Sequence, residues 1–226
     1  MKEALASTAT RIGQRTAREP RWPSIVALLA VVGLHLSLPE ALILGPTWLL
    51  LALVVLFVTP AIIARRLGHF RLPQVLGYCA TGVVTADMIL SLSLLIASLP
   101  QHQVAPQLLL RSAAALWTTN ILVFASWYWR LDAGGPQARD LRDYHTHGDF
   151  LFPQMTIDPT RCSLTVDPNW RPGFIDYLFL AFNTSTAFSP TDVPVLSRWA
   201  KVLMMVQSTI SFATVALVSA RAVNIL

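Results

Sequence analysis

The chain has 226 residues, 54% of them hydrophobic and 13% charged, with a formal net charge of +5 and a mean hydropathy of +0.54. A soluble domain carries about 25% charged residues, so the composition excludes an ordinary soluble fold. The basic residues flank apolar runs, which reads as an orientation signal facing a lipid bilayer and not as a nucleic-acid surface.

Each apolar run is long enough to cross a hydrocarbon core of about 30 Å. Only helices and closed barrels do so commonly, and barrel strands alternate polar and apolar residues. These runs are apolar all round, so the expected fold class is all-α: a polytopic helical membrane protein of five or six spans, with a pore helix before the last span as one option.

Residues 1–23 form a basic tail with Lys2, Arg11, Arg15, Arg18 and Arg21, expected as a surface helix or as disorder. The basic stretch is too long, and a small-residue cleavage pattern too unclear, for a cleavable signal peptide. Residues 24–130 read as a four-helix membrane region. Its first span covers 24–38, or extends to 44 if it passes Pro39 and Glu40. The second covers 47–64 and closes on Arg65 and Arg66; a short basic loop with His69, Arg71 and Pro73 follows.

The third span, 74–99, carries Asp87 near its middle. A turn without Lys or Arg leads to the fourth, 107–129, which ends on the interfacial cluster Trp127-Tyr128-Trp129 before Arg130. Residues 131–172 form an extramembrane connector. Residues 173–226 comprise an apolar segment over 174–188, a polar turn and a last span over 195–223. With six spans, Lys and Arg gather on one side and only Arg111, Arg198 and Lys201 fall near opposite ends, which predicts both termini inside. Cys79 lies in a span and Cys162 in the connector, so no disulfide between them is expected.

Asp87 is the intramembrane acid, flanked by Thr85 and Ser91. A carboxylate there is costly and marks a functional site by default: a proton relay, a cation site, or a pair with Arg111 or His35. The bland alternative is a neutral or hydrogen-bonded acid within the bundle. Asn183, Thr184, Ser185 and Thr186 interrupt an apolar helix, either to line a cavity or to bond between helices. Gln207, Ser208, Thr209, Ser211 and Thr214 on the last span face the same two readings.

The string Asp143, His145, His147, Asp149 has metal-ligand residue types at a spacing wrong for one helix face, so a solvated loop is the expectation and no metal is assigned. Asp192 reads as the N-cap of the last span or as one member of an acidic ring at a pore mouth. There is no nucleophile–base arrangement, phosphate loop or cysteine metal site, so neither an enzyme nor a cofactor is expected.

Residues 173–201 resemble the pore module of tetrameric potassium channels. In that module an Asp opens an aromatic-rich pore helix, a Thr-x-Thr follows, then a five-residue filter and a second Asp. Asp176 and Asp192 stand sixteen residues apart as in the family, and Thr184 and Thr186 fall at the Thr-x-Thr positions. The resemblance implies a homo-oligomeric pore, tetrameric by analogy, for an inorganic cation. Its ion path would run along Thr184, Ser185, Thr186, Ala187, Phe188, Ser189, Pro190, Thr191 and Asp192. The stretch Ala187 to Thr191 holds no glycine and includes Pro190, which argues against a ladder of filter carbonyls.

Nearly the whole chain also resembles a family of uncharacterised six-span proteins of the bacterial inner membrane, a domain of unknown function. The matching residues are Phe152-Pro153, Asp176-Tyr177-Leu178-Phe179, Thr191-Asp192, Ser197-Arg198 and Asn224-Ile225. That resemblance implies a multi-pass protein of the bacterial inner membrane and brings no activity. The sequence expectation is thus an ion-channel-like pore, with a small proton-coupled transporter using Asp87, or a non-conducting accessory membrane subunit, as alternatives.

Overall fold

The computed structural model describes residues 19–69, 71–98, 106–141, 148–157, 170–188 and 192–223. Apolar sequence between proline and glycine breaks makes the helices. Helix α1, Trp22–Leu36, has Pro23 in its first turn, where a missing N–H costs nothing, and stops ahead of Pro39. A 3-10 turn over Glu40–Leu42 and a turn at Gly45, φ +87°, lead to α2, Leu49–Arg66. Two long helices follow: α3, Arg71–Ser98, and α4, Pro106–Leu131. After a 3-10 turn at Asp132–Gly134 comes the one-turn helix α5, Pro136–Asp140. Helix α6, Phe174–Ala187, and α7, Arg198–Val223, complete the chain.

Among the described residues no strand forms, only an isolated bridge between Phe150 and Val195. Four helices, α2, α3, α4 and α7, are long and apolar enough to cross a membrane. The protein is therefore an all-α helical membrane protein. Helix α4 is central: 61% of its apolar stretch is buried in the protein, against 17% for α2. The remaining face of α2, with Val55, Leu56 and Ile63, is exposed and apolar, as a lipid-facing surface must be.

Hydrogen bonds fix which helix ends lie together. Gln74 Nε2 donates to Gly134 O at 3.2 Å and Tyr78 OH to Arg130 O at 3.2 Å, so α3 begins where α4 ends. Arg21 pairs with Asp140, and Arg139 with Glu19 at 3.0 Å, bringing the start of α1 to the same end. Leu151 N donates to Pro194 O and Leu196 N to Asp149 O, which adds residues 148–152 and 193–196. This is called the connector end below. At the far end Leu38 and Leu42 pack with Leu92, Leu95 and Leu109.

Arg198 and Lys201 therefore sit at the connector end with Arg21, Arg71, Arg130 and Arg139, not at the opposite ends of spans as the six-span count expected. The reason lies in how α6 and α7 connect.

Candidate functional site

Helix α6 starts at the connector end. Asp176 accepts from the backbone N–H of Gly173 at 2.7 Å, capping the first turn. Tyr177, fully buried, donates its hydroxyl to Asp132 Oδ2, and Asp132 Oδ1 accepts from Asp149 N. Buried Arg139 lies over the Tyr177 ring, 5.3 Å from its centre. It also donates to the carbonyls of Trp129 at 2.9 Å and Asp132 at 2.8 Å. Phe150 and Phe152 meet Tyr177 edge-on, at 6.3 and 5.4 Å between ring centres. The first turn of α6 is thus held to the end of α4 by an aromatic and ionic clamp.

From there α6 runs alongside α7 in the same direction. Gln207 Nε2 donates to Ala181 O at 2.7 Å and to Ser185 Oγ at 2.9 Å. One turn on, Ser211 Oγ donates to Ser185 O at 2.7 Å, and Phe188 meets Phe212 edge-on at 5.7 Å. Numbering rises together in both helices. Two consecutive helices that run in parallel require the chain between them, residues 188–197, to return to the level where α6 began. The Phe150–Val195 bridge and the bond from Trp199 Nε1 to Asp149 Oδ1 at 3.0 Å mark that return. Helix α6 has 14 residues, about 21 Å at 1.5 Å per residue, which is short of a hydrocarbon core of about 30 Å. It closes on Phe188 at φ +53°, in the left-handed region where glycine is the usual choice.

Two of the expected ion-path residues are committed to packing. Thr184 is buried and bonds back to Leu180 O at 2.8 Å. Ser185 is buried among α4, α6 and α7, where it accepts from Gln207 and from Asn120 Nδ2 at 3.5 Å. Tyr128 OH closes the network on Gln207 Oε1, Asn120 Nδ2 also reaches Gln207 O at 3.3 Å, and Trp117 Nε1 donates to Ser211 Oγ at 3.0 Å. Asn120 Oδ1 is buried without a donor. Gln207, Ser211 and Thr214 are buried on α7; the first two bond to other helices, while Thr214 bonds back to Ile210 O of its own helix at 2.8 Å.

Thr186, Ala187 and Phe188 are exposed, as is Asp192. Ser189, Pro190 and Thr191 lie outside the described residues. Ser197 takes the capping role expected of Asp192: its Oγ accepts from Ala200 N at 3.4 Å, beside the first turn of α7. The sequence singles out neither Asn120 nor Arg139, and places Tyr128 only in the interfacial cluster that ends the fourth span. The signal for Asn120 is the polar run Thr118-Thr119-Asn120 inside an apolar span, of the same kind as the run on α6.

The intramembrane acid is separate from this network. Asp87 Oδ2 on α3 lies 2.8 Å from His35 Nδ1 on α1, one of the two partners expected of it. The histidine side chain is 4% exposed and that of Asp87 20%, and His35 Nε2 is buried without a partner.

Asp143, His145, His147, Cys162, Asn224 and Ile225 lie outside the described residues, and Asp149, the last member of the metal-like string, is occupied by Trp199. Set beside known proteins, the chain matches no family model, no curated protein and no solved structure.

Proposed function

We propose that the chain is a multi-pass protein of the bacterial inner membrane in which residues 174–197 re-enter the membrane and, in a homo-oligomer, line a path for an inorganic cation. The observation that carries this reading is the parallel course of α6 and α7. A helix too short to span, followed by a return to its own side and then a long helix, is the arrangement by which pore modules bring irregular backbone to membrane depth. Arg21, Arg71, Arg130, Arg139, Arg198 and Lys201 share the connector end, so the positive-inside rule makes that end cytoplasmic. The hairpin then enters from the cytoplasm, opposite to a potassium channel.

With Thr184 and Ser185 held in helix contacts, the path-lining candidates narrow to Thr186, Ala187, Phe188 and Asp192 among the described residues. The glycine-free return favours side-chain contacts with the ion over a carbonyl ladder, hence weak selectivity.

A second reading is a proton-coupled carrier, and the His35–Asp87 pair favours it, since a buried acid–imidazole contact inside a bundle is a ready proton site. One experiment separates the two. In liposomes holding purified protein of verified insertion, the pore reading expects passive cation flux. Thr186→Val or Asp192→Asn reduces that flux severalfold, while Asp87→Asn does not. The reverse dependence, with uptake driven by a proton gradient and lost at Asp87→Asn, supports the carrier. No flux of either kind sinks both and leaves the accessory subunit.

A further inference from the structure

The connector end holds more buried guanidinium than its carboxylates satisfy. Arg139 is fully provided for by Glu19 and two carbonyls. Arg21 gives only Nη2 to Asp140; its Nε and Nη1 are buried with no acceptor. Among the described residues no carboxylate lies within ion-pair distance of Arg130, and its Nε is likewise buried and unmet. A buried cation left unpaired is costly, and Arg130, unpaired among the described residues, lies near the only partly satisfied Arg21. The guanidinium of Arg21 lies 5.5 Å from the centre of the Trp129 ring and that of Arg130 5.4 Å.

The Arg130 head group is fitted into the protein. It lies against Gly77 of α3 so closely that a Cβ there would stand 2.1 Å from Nη1. The charged groups around it are already engaged. Glu19 accepts from Trp129 Nε1 and Arg139, Asp140 from Arg21, and Asp132 from Tyr177 and Asp149 N. Arg65 is near enough to repel Arg21, and burial lowers the Arg21 guanidinium to about 10 against the pull of Asp140 and Glu19. It remains charged at neutral pH. Apart from the Tyr78 hydroxyl beside Arg130, the described residues facing this place thus add positive charge and N–H donors without a matching acceptor.

We propose that Arg21 and Arg130, set against Trp129, hold the phosphodiester of an anionic phospholipid. A phosphoryl oxyanion is the acceptor that two guanidiniums suit best. Apolar surface farther along α1 favours a lipid over free phosphate. One to two turns into α1 from Arg21, Ile25, Leu28 and Leu29 face Val54 and Val58 of α2 across a partly open apolar cavity of about 60 Å3, a place for part of an acyl chain. Basic pockets between helices on the cytoplasmic side are the usual seat of anionic head groups. The inference is independent of whether residues 174–197 conduct.

The test uses the full chain, delipidated in a neutral detergent. Phosphatidylglycerol is expected to raise the unfolding midpoint of the wild type, and of Arg198→Gln at the same end, by about 5 °C. It is expected to lose that effect on Arg130→Gln and on Arg21→Gln. Phosphatidylcholine and millimolar inorganic phosphate are expected to do nothing. An equal rise with phosphatidylcholine, an equal rise with inorganic phosphate, or an undiminished rise in Arg130→Gln overturns the proposal. Should the variants not fold, the wild type decides: after gentle extraction, mass spectrometry must find phosphatidylglycerol retained above its share of the source bilayer. Retention at or below that share overturns the site.

Discussion

Gln207 shows how one side chain can hold three helices. Its amide donates to α6 twice and accepts from Tyr128 of α4, all inside an apolar bundle. Gln207→Leu keeps the approximate volume but strands the Tyr128 hydroxyl and the Ala181 carbonyl, at about 1–3 kcal/mol for each buried group left unmet. The expected outcome is a thermal midpoint lower by several degrees in detergent, with Gln207→Glu no better at neutral pH, because its carboxylate has no donor for Ala181 O and adds a buried charge. A midpoint unchanged by Gln207→Leu would mean that the network contributes nothing. At this scale the sequence is partly transparent. Asp87 stands out because an acid in an apolar span has few explanations, and His35 was one of two partners its neighbourhood suggested. Arg130 does not stand out, because an arginine after an aromatic cluster reads as an interface marker; only Gly77, distant in sequence and opposite it in space, reveals a fitted contact.

At the scale of elements, the apolar runs give α2, α3, α4 and α7 nearly to their ends, since Gly68 and the Gly134-Gly135 pair break the chain where the apolar runs also stop. Gly135 is required twice over: φ is +88°, and a Cβ would stand 2.5 Å from Arg130 O. The direction of α6 was not legible. Hydropathy reports depth and not heading, so a 14-residue apolar helix reads equally as a short crossing or as half of a hairpin. Contacts with α7 decide it. With Cys79→Ser and Cys162→Ser as background, Phe188→Cys paired with Phe212→Cys is expected to react with a short bis-maleimide in native membranes. Phe188→Cys with Trp199→Cys is expected not to, because Trp199 lies beside Asp149 at the other end. The opposite pattern would make α6 and α7 antiparallel and remove the hairpin.

For the whole molecule, sidedness follows from the grouping of ends. Leu141 is 78% exposed at the connector end and Leu44 66% exposed at the far end. Single cysteines at Leu141, Leu44 and Asp192, in the same thiol-free background, are expected to separate two to one. The Leu141 and Asp192 positions should label with an impermeant thiol reagent only once the membrane is permeabilised, and the Leu44 position before that. Labelling of the Asp192 position together with the Leu44 position would require α6 to cross completely. The charge count alone assigned Arg198 and Lys201 to the wrong end because it assumed a crossing between residues 174 and 188; the rule itself holds better once that crossing is withdrawn.

The shared heading of α6 and α7 has an electrical consequence. Aligned peptide dipoles leave about half a negative charge at a helix's carboxyl end, and α6 carries that end, closed by the exposed Phe188, away from the connector end while the basic residues crown its amino end. In a ring of copies arranged about these apices, every subunit would aim the same partial charge at the common axis. A preference for cations would then be written into the backbone, and would survive even if Asp192 were neutralised.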